Sequence, residues 1–176
     1  MKTLNPRNLA FCLSLLNLTN TTINEIKREI KQENSLLYMG AGYFNRQKDD
    51  AITEKQVTKI HKLKAAGIIK SDDKIIFKAH PINHADNREK IISALGEDSI
   101  YTLPNNIPFE ILPVIGLAPT AVICNFSTIL FTVEPRLFKH IIVDADTRDK
   151  ALKNPIILRL IKSGVIRKRV VSGWFD

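Results

Sequence analysis

The sequence predicts an α/β fold in which a parallel sheet carries helices on both faces. Two observations carry that prediction. Five short apolar runs alternate with segments of helical pattern along the chain, the arrangement a parallel sheet with crossover helices requires. The 176 residues, 44% apolar and 25% charged, are enough for one domain with a buried core and are ordinary for a globular protein. No internal repeat or low-complexity linker divides them.

Taken in order, Pro6 to Asn17 reads as a helix capped by Asn5, with Pro6 at its first position. Thr22 caps a second helix from Ile23 to about Gln32, with Ile23, Ile26 and Ile30 on one face. Leu36 to Met39 is a strand ending at Gly40-Ala41-Gly42. Asp50 to Ala66 is a long amphipathic helix, with Val57, Ile60 and Leu63 inward, lysines outward and Gly67 as its stop. Asp49-Asp50 reads as its cap. Lys74 to Lys78 is a strand, Asn87 to Leu95 a helix, and Ser99 to Leu103 a strand closed by Pro104-Asn105-Asn106. Pro108 to Ile115 is a helix, Ala121 to Cys124 a buried strand, Ser127 to Val133 the start of a helix, and His140 to Val143 a strand. Asp149 to Leu152 and Pro155 to Lys162 are helical, split at Asn154-Pro155. Val170 to Phe175 is a short last segment ending beside the only tryptophan.

The net charge is +8, and much of it lies from Arg148 onward. A positive field raises encounter rates with nucleotides, nucleic acid or an anionic membrane face; a solvated basic surface is the plain alternative. Cys12 and Cys124 lie far apart in apolar stretches, without metal or disulfide spacing, and read as small buried hydrophobes in a reducing compartment. Leu9 to Leu18 mimics a signal peptide, but Asn and Ser interrupt it, no small-x-small site follows, and it is too short to span a bilayer. The expected location is the cytoplasm, with peripheral association at the inner membrane face as a further expectation from the charge. Gly40-Ala41-Gly42 lacks the third glycine of a dinucleotide fingerprint, and there is no Walker sequence.

Three groups of residues carry candidate chemistry. Lys78-Ala79-His80-Pro81 follows an apolar strand, so His80 and Pro81 arrive at its carboxyl end, where open α/β sheets bind ligands. A histidine there can hold a phosphate and release a proton; Pro81 offers a flat apolar face to a base, and the Lys78 stem packs on the other side. Glu110 opens an apolar helix and can accept hydrogen bonds from the two hydroxyls of a ribose. Ser127 and Thr128 open another helix, where hydroxyls and free backbone N–H groups make an anion site. Read singly, these are a loop histidine, a helix-start carboxylate and a helix cap. Together they suggest a nucleotide site. His84 lies close to His80, but a metal reading is rejected because no third ligand accompanies the pair.

The ordered set resembles the nucleotide-binding half of the bacterial CMP-sialic-acid-dependent β-galactoside sialyltransferases of GT-B fold. Ile76-Phe77-Lys78-Ala79-His80-Pro81 is similar to the family's Lys-Gly-His-Pro segment. Ile107-Pro108-Phe109-Glu110-Ile111-Leu112, with Gly116-Leu117-Ala118-Pro119, is similar to its Ser-Phe-Glu helix and the following loop. Asn125-Phe126-Ser127-Thr128 is similar to its Ser-Ser segment, and Ala151-Leu152-Lys153-Asn154-Pro155 with Trp174 to its carboxyl end. The likeness runs from roughly residue 9 onward. It implies a Rossmann-like domain in which His80 binds the CMP phosphate and acts as general acid. Lys78 and Pro81 bracket the cytosine, Glu110 holds the ribose, and Ser127 and Thr128 steady the phosphate. Gly40 matches a donor-side glycine, and Phe44 falls where the family has a mobile tryptophan. The implied ligand is CMP or CMP-sialic acid, with no metal and no other cofactor.

Ala79 stands in place of a glycine and Thr128 in place of a serine. The family's catalytic aspartate lies in a Tyr-Asp-Asp-Gly-Ser segment that precedes the matched region, and this chain contains no such segment. The expectation is therefore one donor-binding domain over residues 1–176 without the amino-terminal acceptor domain, weakly active or inactive alone. A galactoside acceptor would then be used only if that domain were supplied. A loose loop over Gly40 to Asp50 is expected with it. Base catalysis of this kind is worth roughly a hundred- to ten-thousand-fold. The alternatives are a nucleotide-binding module without transfer and a basic nucleic-acid-binding protein; the latter lacks aromatic platforms among its basic residues.

Overall fold

The computed structural model describes residues 13–15, 18–30, 35–115, 117, 119–124, 140–143, 145, 148–168 and 171–172. In chain order these form α1 (Asn20–Ile30), β1 (Ser35–Met39), α2 (Arg46–Ala65), β2 (Lys74–Lys78) and α3 (Ala85–Leu95). A 3₁₀ turn (Glu97–Ser99), β3 (Ile100–Thr102), α4 (Ile111–Val114), β4 (Ala121–Cys124) and β5 (His140–Val143) follow. Last come α5 (Arg148–Lys153), α6 (Pro155–Lys162) and β6 (Val171–Ser172).

The strands make one six-stranded sheet in the order β3-β2-β1-β4-β5-β6. Every adjacent pair is parallel, with Leu37 opposite Ile76 on one side and Val122 on the other. The predicted α/β parallel sheet is therefore observed, with β6 as a strand the apolar pattern did not single out. Side chains alternate across the sheet. Leu37, Ile76, Val122 and Ile141 join Ile26 of α1 and Ile157 of α6 in one core. Leu36, Tyr38, Ile75, Phe77 and Ile123 join Ile60 and Leu63 of α2 and Ile91 of α3 in the other. Both faces are covered, which is why the strands read as continuous apolar runs.

Several boundaries differ from the sequence expectation, each for a local reason. The hydroxyl of Thr19, not Thr22, accepts from the Thr22 amide at 3.2 Å and starts α1. α2 begins four residues before Asp50, because the Asn45 side chain caps it by accepting from Lys48 N at 3.0 Å. Asp49 is thus inside the helix and is not its cap. α4 is a single turn rather than a helix over 108–115: Pro113 has no N–H, so the i→i−4 ladder cannot run through it. Gly67, at φ 68°, ends α2 as expected. Asn154 caps α6 through Ile156 N at 2.9 Å, with Pro155 at the first helical position. Cys124 is buried, which pushes its thiol up to about 12. Cys12, the predicted helix from Ser127 to Val133 and the segment at Trp174 lie outside the described residues.

Candidate functional site

In the observed strand order the chain direction of winding reverses between β1 and β4, so the crevice beyond their carboxyl ends is the position where such sheets take ligands. Gly40 follows β1 directly and Ala79-His80-Pro81 follows β2. The loop after β3 returns across the same edge with Pro108-Phe109-Glu110. A cleft of ≈ 390 Å³ opens there, within the range of small-molecule sites, and Gly40, Lys78, His80, Pro81 and Glu110 all line it. Residues predicted from separate segments are thus brought together. Phe44 is 84% exposed and does not line the cleft. Ser127 and Thr128 lie outside the described residues.

Lys78, Glu110, His80 and Gly40 are each positioned by an identifiable contact. Lys78 is the last residue of β2 and is buried; its Nζ donates to the carbonyls of Pro104 (2.8 Å) and Asn105 (3.1 Å). It thereby pins the loop that leads to Glu110. Burial lowers the Lys78 pKa, and the nearby Glu110 carboxylate opposes that shift. Glu110 occupies the turn before α4: Ile111 N donates to Pro108 O at 3.1 Å and Leu112 N to Phe109 O at 3.0 Å. The buried ring of Phe109 anchors this turn in the core, leaving Glu110 at the surface of the cleft. The expectation that Glu110 opens a helix is corrected to a carboxylate at a turn ahead of one helical turn.

His80 is exposed at the cleft. Its Nδ1 faces the Ile82 N–H at 3.5 Å, which turns Nε2 toward the open side of the ring. Its backbone is held at both ends by Asn83, whose Oδ1 accepts from His80 N at 3.2 Å and whose N–H donates to His80 O at 3.0 Å. Gly40 N donates to Lys78 O at 2.9 Å, and a Cβ at Gly40 would lie 3.2 Å from the Phe77 ring. Gly40 therefore keeps the loop after β1 against the end of β2.

The apolar pattern left one part of this region unread. The inward face of α2 is apolar at Ile60 and Leu63 but polar nearer the cleft, at Asp49, Thr53 and Gln56, all buried. Asp49 Oδ1 accepts from Tyr43 N and Asn83 Nδ2, each at 2.9 Å, and Oδ2 accepts from His84 N (3.1 Å) and Asn87 Nδ2 (2.8 Å). Gln56 exchanges two hydrogen bonds with the backbone of Ala41, at 2.9 and 3.0 Å. Burial alone would raise the Asp49 pKa, but the hydrogen bonds from Asn87, Tyr43 N, His84 N and Asn83 outweigh it and hold the carboxyl below its ordinary value. The loop expected to be loose is tied down at Ala41 and Tyr43. No sequence signal pairs Asp49 with Asn83, two residues before α3, or with Asn87 in its first turn.

Among the described residues no group of three or more His, Cys, Asp or Glu is placed to hold a metal ion, and no helix is long and apolar enough to cross a membrane.

A parallel sheet of this order with a cleft at its switch point defines a doubly wound α/β protein. The sequence matches the family described as Sialyltransferase PMO188 over residues 1–169, and the chain belongs to that family. The GT-B domain of the Photobacterium damselae sialyltransferase is similar in structure, with a TM-score of 0.67 at 18% identity over 97% of this chain. The 2,6-sialyltransferase of Photobacterium sp. JT-ISH-224, solved with the donor product CMP and the acceptor substrate lactose, gives 0.65 at 21% identity over 99%. The α/β-galactoside α-2,3-sialyltransferase of Photobacterium phosphoreum gives 0.63 at 19% over 98%. The chain spans 45%, 36% and 44% of those three structures, respectively. No curated protein sequence matches the chain.

Proposed function

We propose that the cleft binds the CMP moiety of CMP-sialic acid and that the chain is the donor-binding unit of a sialyltransferase acting on terminal galactosides. The observation that carries this reading is the convergence of Gly40, Lys78, His80, Pro81 and Glu110, from separate segments, on one cleft at the switch point of a sialyltransferase-family fold. The cytosine stacks against Pro81, with the Lys78 stem beneath it. The Glu110 carboxylate accepts from the two ribose hydroxyls. His80 donates from Nε2 to the phosphate and completes proton transfer to it as the bond from the sialic acid anomeric carbon to the phosphate oxygen breaks and the galactoside hydroxyl oxygen bonds to that carbon, its proton going to a base other than the described cleft residues. Ser127 and Thr128 complete the phosphate contacts.

Calorimetric titration tests the reading. CMP should bind in preference to UMP and AMP. His80→Ala and Glu110→Ala should each weaken it by about tenfold, the scale of one lost charged hydrogen bond. A deoxyribose analogue should bind the wild type less well yet lose little more in Glu110→Ala. Absence of CMP binding at millimolar concentration overturns the proposal, and a Glu110→Ala protein that still discriminates fully against the deoxy analogue removes Glu110 from the site.

A further inference from the structure

Resting on this reading of the cleft, we infer that Asp49 is a positioning residue for the nucleotide site, acting through Asn83 on His80. Asp49 does not line the cleft; it is fully buried inside α2. Its two oxygens take four N–H donors, one from the loop after β1 (Tyr43) and three from the segment after β2 (Asn83, His84 and Asn87). Only an ionised carboxylate offers four acceptor positions in this space; an asparagine there would turn an N–H₂ group toward donors.

The consequence falls on Asn83. One hydrogen of its Nδ2 goes to Asp49 Oδ1 and the other to Ala41 O, each at 2.9 Å. The amide orientation is thus set, and Oδ1 is left facing His80 N at 3.2 Å. Asp49 therefore fixes Asn83, and Asn83 fixes both the His80 backbone and the loop that carries Gly40. Gly42 is fitted to the same node: a Cβ there would meet Asn83 Nδ2 at 2.6 Å and Cγ at 2.8 Å. For packing alone, apolar side chains would fill this volume at lower cost; Thr53 Oγ1, Asn87 Oδ1 and His84 Nε2 are buried without a hydrogen-bond partner among the described residues. What the polar cluster supplies is a defined relation between the two loops that flank the cleft.

The test follows the His80 amide and ring resonances in Asp49→Asn and, separately, in Gly42→Ala, at a temperature well below melting. CMP affinity is measured for each variant in the wild-type and His80→Ala backgrounds. Both variants should shift the His80 resonances and weaken CMP binding by about tenfold, within the range of coupling in one hydrogen-bond network. Most of that loss should vanish when residue 80 is already alanine. A folded Asp49→Asn with unchanged His80 resonances and CMP affinity overturns the inference. So does a loss that persists undiminished in the His80→Ala background, because the effect then does not pass through His80. Gly42→Ala reaches the same node from the opposite loop and decides the question if Asp49→Asn does not fold. A wild-type protein that fails to bind CMP removes the nucleotide reading, while the His80 resonance shift still decides the positioning role.

Discussion

At the scale of single residues, the buried carboxylate of Asp49 has the clearest energetic consequence. Asp49→Asn keeps the shape but replaces two acceptors by one and aims an amide at neighbouring N–H groups. The expected cost is about 1–3 kcal/mol at pH 7, the penalty for leaving a buried polar group unsatisfied. Its folded-state pKa is lowered, so the stabilisation is fully present above the ordinary carboxylate value near 4 and is lost as pH falls through the folded value. Urea denaturation of both proteins should accordingly give a gap that narrows between pH 7 and pH 3. A gap of equal size at both pH values would mean that the charge is not what the four donors require. Lys78 is a second such residue. Lys78→Met should keep the stem beneath the proposed base but leave the Pro104 and Asn105 carbonyls without their donor. It is expected to weaken CMP binding by loosening the Glu110 turn, measurable as faster amide exchange at Ile111 and Leu112.

At the scale of elements, the loop between β1 and α2 and the start of α3 behave as one unit. Ala41 N donates to Gln56 Oε1 and Tyr43 N to Asp49 Oδ1, both at 2.9 Å. Hydrogen exchange should therefore show protected amides at Ala41 and Tyr43 in the free protein, flanking an unprotected Phe44 at the exposed tip. Exchange at Ala41 and Tyr43 as fast as at Phe44 would contradict these bonds. α6 supplies an independent check away from the cleft. Asn154→Ala removes the acceptor for Ile156 N and Ile157 N and should destabilise the protein by about 1 kcal/mol without altering CMP affinity.

At the scale of the whole molecule, binding and charge make two predictions. A ligand that binds only the native state stabilises it by about 2.7 kcal/mol at a hundred times its Kd. For a chain of this size that raises the melting temperature by roughly 5–10 °C. CMP should produce this shift and His80→Ala should reduce it at the same CMP concentration. With a net charge of +8, the on-rate for CMP should fall as ionic strength rises. A third prediction concerns turnover. Glu110 is the single carboxylate among the cleft's described lining residues, and it is assigned to the ribose. The 176-residue chain should accordingly give slow CMP-sialic acid hydrolysis at most, and no measurable sialyl-lactose. Robust transfer by the purified chain, abolished by His80→Ala, would assign the base to a carboxylate within it.

The sheet was legible residue by residue because its strands are buried on both faces. Leu36 to Met39, Lys74 to Lys78, Ala121 to Cys124 and His140 to Val143 each stand out as apolar runs, and burial of both faces is a property the local sequence must declare. His80, Pro81 and Glu110 were legible for a related reason: each directly follows or precedes an apolar segment, and strand ends in a parallel sheet share one edge. Helix starts were read less well, since Thr19, Asn45 and the one-turn α4 depend on single hydrogen bonds and one missing N–H. Nothing in the sequence distinguished Asp49 from a solvated helix cap. Its burial exists only because α2 and α3 pack side by side, which brings Asn83 and Asn87, 34 and 38 residues further on, onto the same carboxylate. A hydrophobic period identifies which face of a helix turns inward; it carries no information on which buried polar atoms will find partners, because those partners come from distant parts of the chain.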